Sequence, residues 1–186
     1  AASNPFFRIL NPNVFIDETG QTILATGPVI GICAIKDTAT LNRYIDPESD
    51  YMKAFFKVPN EILQGNSIRF AYSAKPYNPR NGKYEVTADY VQLIALQPTT
   101  IRGKQQSAMS GDVVTDASQV YGQFGSAAEI SMEMNSEGAK EWYKLTKANV
   151  GKSIAIVLDD YVYSFPTVNA PISGGNSSIS GNFTVN

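Results

Sequence analysis

The chain has 186 residues, of which 43% are hydrophobic and 17% are charged, and its formal net charge at pH 7 is −2. This composition is typical of a folded globular protein and excludes a disordered one. The length allows one large domain or two small ones. The Lys and Arg residues are scattered along the chain, which excludes the strongly basic face that nucleic-acid binding or anionic-lipid binding requires.

Histidine is absent and Cys33 is the single cysteine. A Ser-His-Asp or Cys-His arrangement cannot be built without histidine, and zinc sites need several His or Cys ligands. One cysteine cannot form an intramolecular disulfide. Cys33 lies in an apolar run, which indicates a small buried side chain rather than a reactive thiol. We therefore expect no enzymatic activity, no metal site and no cofactor.

The N-terminal part of the chain predicts short strands. Residues 6–10, 14–16 and 22–24 are mostly apolar, and together they predict two or three strands. Asp17-Glu18-Thr19-Gly20 predicts a turn between the last two runs. The β-branched run of residues 29–35 is short and bounded by turn residues, which predicts a buried strand.

Two helices are predicted next. A cap at residues 37–38 begins the first helix and Pro47 ends it, while a second helix carries Phe55 and Phe56 and ends before Pro59. Beyond them, the sequence predicts an antiparallel pair of strands and then a polar connector; these lie at residues 68–72, 84–96 and 98–110.

The clearest pattern lies after residue 127. Residues 130–134 alternate as a strand does, and a cap at residues 135–136 begins a helix. The predicted apolar stripe of this helix is formed by Ala139, Trp142, Tyr143 and Thr146. Residues 154–158 and 161–165 predict a hairpin whose turn is Asp159-Asp160. The order β-α-β-β is most of a ferredoxin-like unit, with the helix packed on one sheet of these three strands.

The acidic pairs do not resemble a catalytic site. Asp17-Glu18 and Asp159-Asp160 lie at predicted turns, where adjacent carboxylates stay solvated. Glu137 and Glu141 lie near a helix N-terminus, where their negative charges interact favourably with the helix dipole. The glycine-rich residues 174–178 lack the Gly-Lys-Ser/Thr ending of a phosphate-binding loop and are not followed by a helix signal, so they do not predict phosphate binding.

A series of short motifs runs through about the last eighty residues in a fixed order. Its members are Gly111-Asp112-Val113, Asp116-Ala117, residues 132–139, Leu145-Thr146, residues 149–152, residues 155–159, Ser164 with Pro166, Ile179-Ser180-Gly181 and Phe183-Thr184. Together they resemble SecD, the extracytoplasmic subunit of the SecD–SecF protein-export machinery, and most closely its fused SecDF form.

The resemblance implies an α+β fold with a ferredoxin-like base and an inserted α+β head module. It also implies a structural turn at residues 174–178. We expect residues 1–29 to be the N-terminal part of the base or the lead-in to the head. The head would span residues 30–105, and the base residues 106–186 without its last helix and strand. The chain would be the soluble loop after the first span of a multi-pass membrane protein.

The resemblance also implies the function. The parent would lie at the extracytoplasmic (periplasmic) face of the bacterial inner membrane, beside the SecYEG channel and with SecF. It would engage unfolded preprotein emerging from the channel and assist proton-gradient-driven export. The proton-carrying residues of the family lie in membrane spans, outside this segment. The alternatives are a generic extracytoplasmic adhesion or lipoprotein-type binding module and a hydrolase, and the missing histidine disfavours the hydrolase.

Two sets of residues are candidates for that function. The predicted polypeptide contact is the aromatic cluster Tyr51, Phe55 and Phe56, for which core packing is the alternative. The predicted hinges between base and head are at Val29, Lys104 and Ser107.

Overall fold

The molecule divides into two compact units, which we call unit 1 and unit 2. The computed structural model describes residues 5–46, 49–50, 68–101, 104–121 and 128–183. Unit 1 comprises residues 1–105 and 157–163, and unit 2 comprises residues 106–156 and 164–186. The chain therefore crosses from one unit to the other after residues 105, 156 and 163.

The elements before the first crossing belong to unit 1. Among its described residues the helices are α1 (Phe6–Ile9) and α2 (Thr38–Ile45), with a 3-10 turn, Ile35–Asp37, before α2. Its strands are β1 (Leu10–Pro12), β2 (Val14–Ile16), β3 (Thr22–Leu24), β4 (Val29–Ala34), β5 (Arg69–Ser73), β6 (Tyr77–Asn78), β7 (Lys83–Tyr84) and β8 (Tyr90–Leu96). The ribbon of β9 (Thr99–Ile101) and β10 (Lys104–Gln106) leads to the first crossing.

The later elements are shared between the units. They are a 3-10 turn, Gly111–Val113, then β11 (Val114–Tyr121), β12 (Ala128–Met134), α3 (Ser136–Ala148), β13 (Ile156–Leu158), β14 (Tyr161–Ser164) and β15 (Asn176–Phe183). The hairpin β13–β14 carries residues 157–163 into the sheet of unit 1.

Unit 1 is built on one sheet of eight strands. Six of them run in the order β1-β4-β8-β5-β14-β13, and β6 and β7 attach beside β8. Strand β8 lies between β4 and β5, and α2 follows β4 along the chain. Taken in chain order, the strands β4, β5 and β8 therefore have the spatial order 1-3-2. The core of the unit is an apolar cluster formed by Phe6, Leu10, Cys33, Leu41 and Leu93.

Gly31 shows why β1 and β4 can lie so close together. It pairs with Pro12 in the antiparallel register, and a Cβ atom at Gly31 would collide with the carbonyl oxygen of Asn11. Only glycine allows this backbone approach. Leu10 is thereby placed opposite Cys33, and both side chains are buried in the apolar cluster.

Unit 2 is a helix and a three-stranded antiparallel sheet in the order β11-β12-β15. The side-chain oxygen of Asn135 accepts a hydrogen bond of 2.8 Å from the backbone N–H of Gly138, which caps α3. Gly151 follows the helix with a φ of +79°, the left-handed region that glycine adopts without a steric penalty. Asn135 was one of the two predicted caps, so the start of this helix is confirmed.

Several predictions about sheets and helices are wrong. Residues 130–134, 154–158 and 161–165 were expected to share one sheet, but β12 pairs with β11 and β15, whereas β14 pairs with β5. Residues 6–9 form a helical turn rather than a strand, and residues 176–178, expected to lie in a structural turn, are the first residues of β15. The wrong sheet membership has a physical reason, because apolar alternation fixes which face of a strand is buried but not which strand pairs with it.

Candidate interaction surfaces

The structure describes only some of the predicted functional residues. Tyr51, Phe55 and Phe56 lie outside the described residues, so their contact with polypeptide stays a prediction. The predicted hinge residues Lys104 and Ser107 lie on either side of the first crossing between the units, after residue 105.

Val29, the third predicted hinge, lies within unit 1. It is the first residue of β4 and pairs with Ile94 of β8. Its carbonyl oxygen accepts a hydrogen bond of 3.3 Å from the side-chain amide of Asn13. A register shift separates Val29 from Gly31 along β4. The hinge role of all three residues stays a prediction.

The hairpin of β2 and β3 exposes a group of large apolar side chains. Val14 pairs with Leu24 and Phe15 pairs with Ile23 in the antiparallel register. Because successive side chains of a strand point to opposite faces, these two pairs lie on opposite faces of the hairpin. The exposed set is Val14, Phe15, Ile16, Ile23 and Leu24, with Ile16 and Leu24 each 71% exposed. We call this set the apolar hairpin.

The turn of the apolar hairpin is closed by Asp17. Its carboxylate accepts hydrogen bonds from the backbone N–H groups of Thr19 and Gln21 and from the Thr19 hydroxyl, at 2.7–2.9 Å. These bonds favour the ionised form, and the Thr19 hydroxyl contributes most to lowering the pKa of Asp17. Asp17 therefore has a structural role in the turn, as its sequence setting predicts.

The hairpin β13–β14 exposes a second apolar group, formed by Leu158, Tyr161 and Tyr163. Its two-residue turn, Asp159-Asp160, has φ values of +49° and +67°. Positive φ at both positions is the type I′ geometry that two-residue hairpins favour, so the predicted turn is confirmed. Arg69 of the neighbouring strand β5 forms an exposed ion pair with Asp160.

A small cleft of about 140 Å³ lies beside β8 in unit 1, lined in part by Asn11, Tyr77 and Gln92. The rings of Tyr77 and Tyr84 meet edge to face at 5.6 Å, and the Tyr84 hydroxyl donates a hydrogen bond to Gln92. The cleft is too small for a substrate of drug size, because such ligands occupy roughly 300 Å³ or more.

Glu85 is engaged in the loop that carries Tyr84. It accepts hydrogen bonds from the side-chain amides of Asn78, at 2.8 Å, and Asn81, at 2.6 Å. These two bonds lower the pKa of Glu85, with the Asn78 bond contributing most. The two hydrogen bonds organise this loop around the Glu85 carboxylate.

Cys33 and Tyr72 are two groups of unit 1 whose pKa values are raised. Burial raises the pKa of the Cys33 thiol to about 11, with a smaller contribution from Asp37. Burial also raises the pKa of Tyr72, whose hydroxyl donates a hydrogen bond of 2.7 Å to Asn42. Cys33 is thus a buried hydrophobe, as predicted. In the part of the chain that the structure describes, no three His, Cys, Asp or Glu residues cluster as metal ligands do.

Strand β11 presents a surface of a different kind in unit 2. It is an outer strand of the three-stranded sheet, and every residue from Thr115 to Tyr121 is exposed. The sequence of this stretch lacks the alternation that predicts a half-buried strand. Among the helices that the structure describes, none combines the length and apolarity that a membrane span requires.

Comparison with known proteins gives one family. The family model described as "SecDF, P1 head subdomain" matches residues 85–186. The protein translocase subunit SecD of Rhodothermus marinus is 36% identical over 96% of this chain, and SecDF of Thermus thermophilus is 32% identical over 68% of it. The chain spans 23% and 16% of the lengths of these two relatives, less than a quarter in each case.

Solved structures of SecDF give weaker similarity. A crystal structure of SecDF in a super-membrane-facing form is 25% identical over 61% of this chain and 16% of its own, with a TM-score of 0.40. A structure of "a membrane component SecDF that enhances protein export" is 19% identical over 91% of this chain and 70% of its own, with a TM-score of 0.38.

Proposed function

Because the chain belongs to the SecD/SecDF family of protein-translocation factors, we propose that it engages unfolded preprotein during export. The observation that carries this proposal is the family match, which covers residues 85–186. The exposed apolar side chains of unit 1 also support it. Apolar contacts do not require a particular sequence, so they suit a factor that handles many preproteins.

The parent protein supplies the setting of this proposal. We place the segment on the extracytoplasmic, periplasmic side of the bacterial inner membrane, as a soluble part of a multi-pass membrane protein. Its partners would be unfolded preprotein, the SecYEG channel and SecF. Coupling to the proton gradient would come from residues of the parent outside this segment. The segment itself would have no catalytic activity and no cofactor.

The roles of the two units also belong to this proposal. The head over residues 30–105 and the base over residues 106–186 stay a prediction from the sequence. Two observations support the converse assignment, which we propose here. The spatial order 1-3-2 of β4-α2-β5-β8 is that of a ferredoxin-like base, and it lies in unit 1. The family model named for the head extends to residue 186 and covers unit 2.

The apolar hairpin is one surface that could hold polypeptide in unit 1. Its five large side chains lie on both faces of a two-stranded ribbon. Binding there would be modest, on the order of micromolar or weaker, because ordering a flexible chain costs conformational entropy. The predicted aromatic contact at Tyr51, Phe55 and Phe56 is the other candidate surface in this unit.

An NMR titration of the 186-residue chain with a reduced, alkylated model polypeptide tests the function. We expect saturable shifts at exposed apolar residues. Phe55→Ser with Phe56→Ser tests the aromatic contact, and Phe15→Ser with Ile23→Ser tests the apolar hairpin. Both double variants need far-UV circular dichroism to show that they are folded. Absence of any saturable shift in the wild-type chain would refute the proposed function.

A further inference from the structure

The outer edge of β11 has no strand partner in the part of the chain that the structure describes. Its inner edge pairs with β12 in an unbroken antiparallel register, from Asp116 opposite Glu133 to Tyr121 opposite Ala128. Within the described residues, no backbone hydrogen bond reaches residues 116–121 from the other side. Half of the N–H and C=O groups in this stretch therefore point away from the sheet.

This edge lacks the features that usually protect an outer strand. Natural proteins protect edges with lysine, proline, bulges or very short strands. Strand β11 has eight residues and contains neither lysine nor proline. Its single charged residue is Asp116, and its single bulge lies between Val114 and Asp116. Both features are at the beginning of the strand, so residues 117–121 are open over roughly 17 Å, at about 3.4 Å per residue.

The chemistry of an open edge specifies its ligand. Donors and acceptors that alternate along an extended backbone are matched by a second extended backbone. We propose that the β11 edge binds an extended segment of unfolded polypeptide by strand addition, an inference that rests on the proposed translocation function. Because both faces of β11 are exposed, the added strand would meet few side chains. Recognition would depend on the main chain and tolerate many sequences.

A second copy of this chain is a poorer occupant for the same edge. A stable protein–protein interface uses about 20–30 residues on each side. Pairing two β11 strands would align only residues 116–121 on each side. Val120 and Tyr121 are the large apolar side chains in that stretch, and Tyr121 is 64% exposed. So small an interface suits a ligand that is held briefly and then released.

The first test uses two forms of one ligand. A short unstructured peptide is titrated into the ¹⁵N-labelled 186-residue chain, and so is the same peptide N-methylated at successive central residues. We expect shifts and slowed hydrogen exchange at alternate amides of residues 116–121 with the unmodified peptide. The methylated peptide should bind at least about tenfold more weakly, because it loses several main-chain hydrogen bonds.

The second test uses a matched pair of variants, Ser118→Pro and Gln119→Pro. Neighbouring residues of β11 direct their N–H groups to opposite sides, so one proline removes a bond to β12 and the other blocks only the outer edge. The variant that keeps wild-type stability should lose peptide binding. Ser178→Pro, on β15 at the other edge of the same sheet, should leave peptide binding unchanged once far-UV circular dichroism and urea titration show wild-type folding; otherwise Ser177→Pro, whose N–H points to the opposite side, takes its place.

The outcomes separate this inference from the proposed function. Equal binding of the two peptides, or loss of binding in Ser178→Pro alone, would overturn the β11 assignment and leave the translocation function standing. No binding of any unfolded chain would overturn both. Concentration-dependent dimerisation that the same β11 proline abolishes would show that a second copy occupies the edge, which also overturns this inference.

Discussion

Different kinds of internal contact stabilise unit 1 and unit 2. The core of unit 1 is a continuous cluster of large apolar side chains that includes Leu10, Leu41 and Leu93, all fully buried. In unit 2 the buried positions of α3 are Gly138, Trp142 and Thr146. The core of unit 1 therefore depends mainly on apolar volume, whereas the buried face of α3 in unit 2 combines one large ring with a close approach at Gly138 and the hydrogen bonds of Thr146.

Thr146 shows how hydrogen bonding contributes in unit 2. Its side chain is fully buried, and its hydroxyl donates a 2.7 Å hydrogen bond to the carbonyl oxygen of Trp142. The same hydroxyl accepts a 3.0 Å bond from the backbone N–H of Ile172. The bond attaches the loop after β14 to the helix. A buried polar group that is fully paired can stabilise a fold, whereas an unpaired one is costly.

The largest expected effect is at Trp142. Trp142→Ala should lower the free energy of unfolding by about 3–5 kcal/mol, because it removes a large buried ring. Urea titration followed by far-UV circular dichroism measures the change. The matched control is Tyr143→Ala, the next residue on the same helix, whose side chain is 40% exposed. A loss at Trp142 below about 1 kcal/mol would contradict the assigned face of α3.

Leu93 tests the apolar core of unit 1. Leu93→Ala should cost about 2–5 kcal/mol, since the side chain is fully buried at the centre of the cluster. Leu158→Ala is the control, because that leucine is 56% exposed. Trp142 is the single tryptophan and lies in unit 2, so its fluorescence reports that unit. If Leu93→Ala shifts the fluorescence and circular dichroism midpoints equally, the two units unfold as one. The cores of the units would then not be independent.

Gly138 tests how closely α3 packs against Val113 in unit 2. A Cβ atom at this position would lie 2.7 Å from the Cβ of Val113. Gly138→Ala should therefore cost about 1–3 kcal/mol through overpacking, although alanine is the better helix former. Gly111→Ala is the control, because a Cβ atom there meets nothing within 4 Å. Equal effects of the two substitutions on the fluorescence-detected midpoint would show that backbone propensity, and not packing, decides the result.

Helix α3 shows how much the sequence could predict and where prediction ended. The cap at Asn135, the burial of Trp142 and the turn at Asp159-Asp160 follow from local patterns, and all three are confirmed. Tyr143 was expected on the buried stripe but is exposed. The buried positions are spaced by four residues and begin at Gly138. A stripe predicted from large apolar side chains does not include a glycine.

Strand β15 could not be predicted from its own residues. It reads Asn-Ser-Ser-Ile-Ser-Gly-Asn-Phe, a composition rich in residues that are common in turns. Its extended form comes from pairing with β12, a contact between residues some fifty positions apart in the chain, such as Ile130 and Ile179. The exposed surfaces have the same limitation. Three successive apolar residues in β2 predict a strand but do not say that both of its faces are open.

The smallest effect is expected in the hairpin β13–β14, whose residues 157–163 belong to unit 1. Asp160 holds a φ of +67°, a conformation that costs a non-glycine residue roughly 1 kcal/mol. Asp160→Gly should therefore stabilise the protein by up to about 1 kcal/mol, despite losing the exposed ion pair with Arg69, which contributes little. Asp160→Asn removes the ion pair and keeps a side chain, so the difference between the two variants isolates the backbone term. A thermal denaturation series measures both. If Asp160→Gly is the less stable of the two variants, the positive φ at residue 160 does not destabilise the hairpin. The hairpin is then held chiefly by its pairing with β5.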